Sequence, residues 1–291
     1  MKPTAEDQKK IAAYRAMLGQ YEKPSVTADI VAVRPAFGAL RGDQWRENPK
    51  FALEILLIRR GQWPYEGCWA LPGGFIQGKN HETVEQGAAR ELLEETGLRA
   101  RTLIPAGVFS DPGRDMRSWV ISNAFVSVHK RGEGEDVRGG DDAREAEWLR
   151  VESPVFRDGM FVLPFSRGPK ALFTVRGTYR DEELGGGTVT GLEENPLAFD
   201  HGRIIASAFL RLLSLDLRKL VFFFLPEKFT LAQYIGVYQY LTGHSVEPGN
   251  IPNFRRQLTE KKDPLLEVCE GEFEDLDGRG HAPAKLFRRR S

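Results

Sequence analysis

Leu71 to Leu98 read LPGGFIQGKNHETVEQGAARELLEETGL, and this stretch decides how the rest of the chain is read. A glycine-rich turn precedes a segment with helical spacing, in which Val84, Ala88 and Leu92 recur every four residues and form an apolar face. Thr83 with Gln86 three residues on predicts a capping box at the helix start. Gly97 predicts a left-handed close at its end. Glu91, Glu94 and Glu95 stand at i, i+3 and i+4, so their carboxylates crowd one side. Like charges at that spacing cost roughly 0.2–0.5 kcal/mol per pair. Arg90, one turn from Glu94, offsets part of this, and a hard divalent cation would remove it. Oxygen-only ligands favour Mg2+, Mn2+ or Ca2+ over zinc. Three glutamates alone more often mark a solvated acidic helix; the full string is what points to a metal.

That string resembles the Nudix box, the metal-binding loop-helix of enzymes that hydrolyse nucleoside diphosphates linked to another group. From Glu82 onward the match is position for position. The resemblance implies an α/β fold, the Nudix α/β/α sandwich with a mixed sheet. It implies Mg2+ (or Mn2+) held by Glu91, Glu94 and Glu95, with Glu82 supporting the site or binding a further metal and Arg90 orienting the glutamates. Glu91, Glu94, Glu95 and Arg90 are then the catalytic set, and which glutamate is the base stays open. The family places five residues between the first box glycine and the first glutamate, whereas seven separate Gly74 from Glu82 here. The insertion of two falls at Gly78-Lys79-Asn80, in the loop where Gly74 is a candidate substrate contact. Asp111-Pro112-Gly113-Arg114-Asp115 reads by itself as a polar turn. Pro112, fifteen residues beyond Gly97, also resembles the proline of the family's ADP-ribose pyrophosphatases. Arg114, whose guanidinium matches phosphate oxygens in a bidentate way, and Asp115 are thereby candidate substrate contacts.

At 291 residues the chain has room for two domains. Its 41 Lys+Arg balance 41 Asp+Glu, so any basic surface for nucleic acid must be local. Cys68 and Cys269 are far apart and form no redox or metal motif, which fits a reduced, cytoplasmic setting. The five histidines lack zinc-ligand spacing. The longest apolar run, Leu220 to Leu225, is too short to span a bilayer, so no membrane partner is expected.

The expected division is an N-terminal helix over 1–22, a Nudix domain over 23–198 and a second domain over 199–291. Ile11, Tyr14, Leu18 and Tyr21 give the first helix an apolar stripe for packing or dimer contact. Strands are expected at Ser25–Val33 and Phe51–Ile58, around an exposed loop at 36–50, and again at Ala106–Ser110 and Ser118–Val128. Gly139 to Leu149 resembles the Nudix entry into the last core strand. Residues 151–197 read as an elaboration with strands at Met160–Leu163 and Ala171–Val175, a flexible Gly185-Gly186-Gly187, and a hairpin near the substrate pocket.

Asp200 is a fair N-cap for a helix to about Leu215, buried through Ile204, Ala208, Leu212 and Leu213. Thr230 with Gln233 caps the next helix, whose stripe is Leu231, Tyr234, Ile235, Tyr238 and Leu241. A short basic helix at Asn253–Leu258 and two strands at Pro264–Glu270 and Ala284–Arg289 complete the order of a winged helix-turn-helix. Asn253, Arg255, Arg256 and Gln257 are then candidates for operator DNA contact, with Arg279 and Lys285 in the basic tail. Glu270, Glu272, Glu274, Asp275 and Asp277 oppose this. The NFRRQL helix and the closing GRGHAPAKLFRR resemble the Nudix-related transcriptional regulators of NAD metabolism. That family pairs an ADP-ribose-binding Nudix domain with a C-terminal winged helix that binds operator DNA as a homodimer. Two readings follow, an Mg2+-dependent hydrolase of ADP-ribose-like nucleotides and a metabolite-responsive regulator. A plain hydrolase with a structural C-terminal domain and a non-catalytic sensor-repressor remain the alternatives.

Overall fold

The computed structural model describes residues 4–37, 51–130, 132–139, 143–152, 154–181, 187–260, 264–274 and 284–290. The loop expected within 36–50 lies largely outside them, as do Gly140, Asp141, Asp142, Gly185, Gly186, Asp275, Asp277 and Arg279.

A mixed sheet organises the larger part. Its strands are β1 (Ser25–Phe37), β2 (Phe51–Arg60), β3 (Trp69–Ala70), β4 (Gly73–Phe75), β5 (Ile104–Phe109), β6 (Val120–Val128), β7 (Ala143–Val151), β8 (Val155–Arg157), β9 (Met160–Arg167), β10 (Lys170–Asp181) and β11 (Gly187–Glu194). The path runs β11-β10-β9-β7-β2-β1-β6-β5, with β3 on β2, β4 on β1 and β8 on β9. β1 and β6 are parallel, from Ser25 opposite Val120 to Val33 opposite Val128.

The two-residue period of β1 supplies both cores. Ala28, Ile30 and Ala32 face α2 (Val84–Thr96), packing with Ala88 and Leu92. Val31 and Val33 face the other side, in the cluster that holds α3 (His201–Leu213) through Ile204, Ala208 and Leu212. Both ends of the sheet, β5 and β11, reach α3, so the sheet curls around that helix. This is the expected α/β/α arrangement.

The segment 151–197 extends the sheet from β7, where Val151 pairs with Phe165. Because β7 still had an edge to pair, the added strands continue the sheet, and none of the described residues of this segment lines the cavity described below. Gly187, read as part of a flexible run, begins β11. The first helix, α1 (Ala5–Leu18), has a Thr4–Asp7 capping box but buries no residue; Ile11, Tyr14 and Met17 are all exposed. Its apolar stripe is therefore not used for packing among the described residues.

The C-terminal domain follows α3. A short helix α4 (Leu217–Leu220) leads to β12 (Lys228–Thr230), α5 (Leu231–Thr242), α6 (Ile251–Thr259), β13 (Leu266–Glu274) and β14 (Ala284–Arg289). The three strands form a separate sheet in the order β12-β14-β13. Thr230 and Gln233 make the expected capping box on α5. The domain is continuous with the first core. Tyr240 on α5 meets Phe51 edge-on at 5.1 Å and donates its hydroxyl to the Val151 carbonyl at 2.8 Å. No helix is long and apolar enough to cross a membrane among the described residues.

Candidate functional site

The box helix α2 begins and ends as its sequence dictates. Thr83 and Gln86 cap each other, and Gly97 closes the helix at φ 73°. Ahead of it, β4 brings the backbone of its two glycines close to its neighbours. A Cβ on Gly73 would stand 2.4 Å from the Ala28 carbonyl oxygen, and one on Gly74 would stand 2.5 Å from the Glu91 carboxylate. The inserted residues Gly78–Asn80 form one 3-10 turn, closed by His81 in the left-handed region. The turn is exposed to solvent, and Glu82 follows it directly. Its carboxylate accepts the Gln77 amide at 2.7 Å and Arg90 Nε at 2.7 Å.

Arg90 gathers the box acids. One terminal nitrogen donates to Glu91 at 2.7 Å and to Glu94 at 2.8 Å, and the other to the Phe75 carbonyl at 3.1 Å. The hydrogen bonds from Arg90 and Gln77 hold the Glu82 carboxyl below its usual range. Glu95 is buried and accepts the Gly73 amide at 2.8 Å. Burial pushes its carboxyl up to about 8 and also raises Glu91.

Glu91 and Glu95 border a cavity of about 350 Å³ walled by β1, β2, the box loop, the Asp111–Asp115 turn and the first turn of α3. That size suits a small-molecule ligand. Gly74, Arg114 and Asp115 line it, together with Asp29, Arg60, Trp63, Phe75, Arg117, Phe199 and His201. Arg117 holds Asp115 at 2.7 Å and lies over the rings of Phe75 and Phe199. Burial opposes the Asp115 charge, but the Arg117 hydrogen bonds win and keep its carboxyl below the usual range. Thr27 Oγ1, buried in the wall, has no hydrogen-bond partner among the described residues. A cavity with arginines, an orphan hydroxyl and a rim of exposed Trp63 and half-exposed Phe75 suits a ligand with both anionic and ring components.

The deepest part was missed by sequence reasoning. Asp29 is buried, accepts the Ser122 hydroxyl, and has its carboxyl raised by burial. An acid inside the otherwise apolar SVTADIVAV strand was the available signal. His201 Nδ1 accepts the Leu71 amide at 2.8 Å, which leaves its proton on Nε2, 3.7 Å from Asp29. Burial drops His201 to about 3 and keeps it neutral. Arg114 lines the cavity with its charge already paired. Its guanidinium is 5% exposed and makes a bidentate pair with Asp200, at 2.6 and 3.1 Å. Asp200 in turn occupies the N-cap position of α3 without capping it. A long-range charge partner has overridden the local preference for capping.

The donor set was tested against a divalent cation. No three His, Cys, Asp or Glu side chains converge as a finished cage among the described residues; Arg90 occupies the place between Glu82, Glu91 and Glu94. Glu91 and Glu95 nevertheless fit a hard cation. Both are oxygen donors on one face of α2, both border the cavity, and both are desolvated in a way that added positive charge relieves. Glu94, 55% exposed, and Glu82 stand behind them on Arg90.

A second candidate surface lies on α6. Leu258 is buried and Phe254 packs on Tyr238 at 5.3 Å, which leaves Asn253, Arg255, Arg256 and Gln257 exposed together. Lys285 is exposed on β14, a separate element from α6. Of the opposing acids on β13, Glu272 is paired within its own sheet by Lys228. The α6 face carries no acid.

Residues 36–163 match the model of the NUDIX domain. An ADP-ribose pyrophosphatase of Methanocaldococcus jannaschii is 47% identical over 100 residues, which are 34% of this chain and 56% of that protein. The chain thus spans little more than half of that relative. The ADPR responsive transcriptional repressor NtrR of Acinetobacter baylyi is 25% identical over 279 residues, 94% of this chain and 87% of that one. A MutT/nudix family protein from Enterococcus faecalis shares the fold with a TM-score of 0.62 at 23% identity, covering both chains completely. Shewanella oneidensis NrtR does so at 0.53 and 21%, covering 91% of this chain and 94% of that one.

Proposed function

The chain carries a Nudix domain, and on that premise we propose that it is a metabolite-responsive transcriptional regulator that binds ADP-ribose or a related nucleoside diphosphate derivative. The functional division is a Nudix domain over 23–198 and a linking helix with a winged-helix DNA-binding domain over 199–291, acting as a homodimer. The observation that carries this reading is the joint presence, on one continuous core, of an arginine-bearing cavity at the box and an exposed basic helix face without acids. The full-length similarity to an ADPR responsive repressor supports it. Asn253, Arg255, Arg256 and Gln257 meet operator DNA, with Arg279 and Lys285 adding phosphate contacts.

Hydrolysis is a second activity of the same pocket, favoured by four intact box glutamates and by likeness to an ADP-ribose pyrophosphatase. Glu91 and Glu95, with Glu94 and Glu82 beside them on Arg90, are the residues that would hold Mg2+ or Mn2+. When bound, it would supply screening of the diphosphate charge and a lowered pKa for an attacking water. The chain's own residues do the rest. Arg117 and Arg60 draw the anionic group into the cavity, Phe75 and Phe199 exclude water from one wall, and His201 stays neutral beside Asp29.

A thermal-shift screen of nucleotides with and without Mg2+ tests the pocket whether or not chemistry follows. ADP-ribose is expected to stabilise the protein, and turnover, where present, to vanish in Glu94→Gln with Glu95→Gln. No stabilisation by any nucleotide would sink the ligand reading. Selection from random duplexes is expected to enrich a near-palindromic site with salt-sensitive affinity; no enrichment at moderate salt would remove the regulator reading.

A further inference from the structure

Two four-residue stretches, Asp111-Pro112-Gly113-Arg114 and Asp200-His201-Gly202-Arg203, share the pattern Asp-x-x-Arg and pair reciprocally. Arg114 holds Asp200 in the bidentate contact already given, and Arg203 holds Asp111. The first stretch is a cavity wall. The second is the first turn of α3, the helix that leads through α4 to the C-terminal domain, where the Arg218 carbonyl accepts the Tyr234 hydroxyl of α5 at 3.1 Å. The same turn is stitched to the box loop by His201.

We infer that this double ion pair is a latch that an anionic ligand opens, and that its opening is how occupancy of the cavity reaches the C-terminal domain. The inference rests on the ligand reading proposed above. Arg114 borders the cavity, yet its guanidinium is taken by Asp200. A diphosphate entering there competes with that carboxylate for the same bidentate face. Asp200 has a second place to go. It already occupies the N-cap position, and the Gly202 amide is a first-turn donor without an intrahelical acceptor. Released from Arg114, Asp200 caps α3. The latch therefore has two discrete arrangements, carboxylate on guanidinium with the helix uncapped, or phosphate on guanidinium with the helix capped. Such a two-state element is what coupling between sites requires. A neutral sugar cannot compete for Arg114, so the latch also restricts the response to anionic ligands.

Asp200→Asn tests this, since asparagine caps as well as aspartate but does not hold Arg114 as a charge. Calorimetric titration with ADP-ribose is expected to show about tenfold tighter binding than the unmodified chain, within the usual range of site-to-site coupling. Amide exchange should show the first turn of α3 becoming protected when ADP-ribose binds the unmodified chain, and already protected in Asp200→Asn without ligand. Asp111→Asn, at an exposed pair, should shift affinity the same way by less, and serves if the first variant folds poorly. Equal affinities with unchanged α3 exchange would overturn the latch and leave the ligand reading standing. Tighter binding without added α3 protection would also overturn it, because loss of a nearby negative charge then explains the gain. If ADP-ribose binds neither protein, the ligand reading falls, and unchanged α3 exchange in ligand-free Asp200→Asn overturns the latch as well.

Discussion

Tyr240→Phe is the cleanest probe of whether the two parts of the chain form one cooperative body. The side chain is 7% exposed, its hydroxyl donates to the Val151 carbonyl at 2.8 Å, and its ring meets Phe51 edge-on. Burial raises the phenol far above its usual value, so it remains a donor throughout the working range. Deleting only the oxygen keeps the ring contact and removes a buried hydrogen bond between α5 and β7. A lost bond of this kind costs about 0.5–1.5 kcal/mol, and leaving its acceptor unmet about 1–3 kcal/mol. A net loss of roughly 1–2 kcal/mol follows, or about 2–3 °C in the thermal midpoint of a chain this long. Tyr240→Ala should cost roughly 3–5 kcal/mol, since the Phe51 contact and the packing go too. Scanning calorimetry should show a single transition in all three proteins, with calorimetric and van't Hoff enthalpies equal. Two separate transitions, or a Tyr240→Phe midpoint unchanged while the C-terminal domain melts alone, would refute the single-core argument.

Gly74→Ala should leave the fold nearly intact but weaken ADP-ribose binding by roughly 10–100-fold, because the new methyl displaces the mobile end of Glu91 from the cavity wall; titration calorimetry with and without Mg2+ checks this. Arg255→Ala with Arg256→Ala should lower the slope of log affinity against log salt for a selected duplex by about 2, one per lost phosphate contact, and an unchanged slope would take α6 off the DNA. Burial and His129's surroundings drop that imidazole to about 4, so the unfolded chain gains a proton below pH 6.5 that the folded chain refuses. Stability should therefore fall as pH drops from 6.5 towards 4, by up to roughly 3 kcal/mol for this one group. His129→Gln should flatten that part of the denaturation curve, and an identical slope in the variant would show that His129 is not the source.

What was legible in the sequence was local. The capping boxes at Thr83 and Thr230 and the left-handed Gly97 are decided within a few residues and stand as read. The β1 and β2 strands were legible because burial on both faces leaves an apolar run. In the elaboration after β7 the strands at Met160–Leu163 and Ala171–Val175 were legible and fall within β9 and β10, but their place in the sheet was not, because it is fixed by register against β7 and β9 rather than by their own pattern. The least legible positions are those whose partners lie far away in the chain. Asp200 reads as a cap and Arg114 as a phosphate contact, and each reading is sound within its own segment. Eighty-six residues separate them, and only the fold shows that they hold each other.

That pairing bears on whether the pocket senses or cuts. A ligand that must take Arg114 from Asp200 diverts part of its binding free energy into rearranging α3. An enzyme gains rate only from interactions stronger in the transition state than in the ground state, and free energy used to move a helix is unavailable for that purpose. The same free energy appears as coupling when the helix leads to a second functional surface. A guanidinium held in reserve inside the cavity, joined to a helix that runs to the C-terminal domain, therefore favours readout over turnover. Hydrolysis on this scaffold should be slow compared with ligand exchange, so that the C-terminal domain reports the ligand before the box glutamates destroy it. Single-turnover kinetics against the ADP-ribose off-rate decides the order, and cleavage faster than release would place the enzyme first.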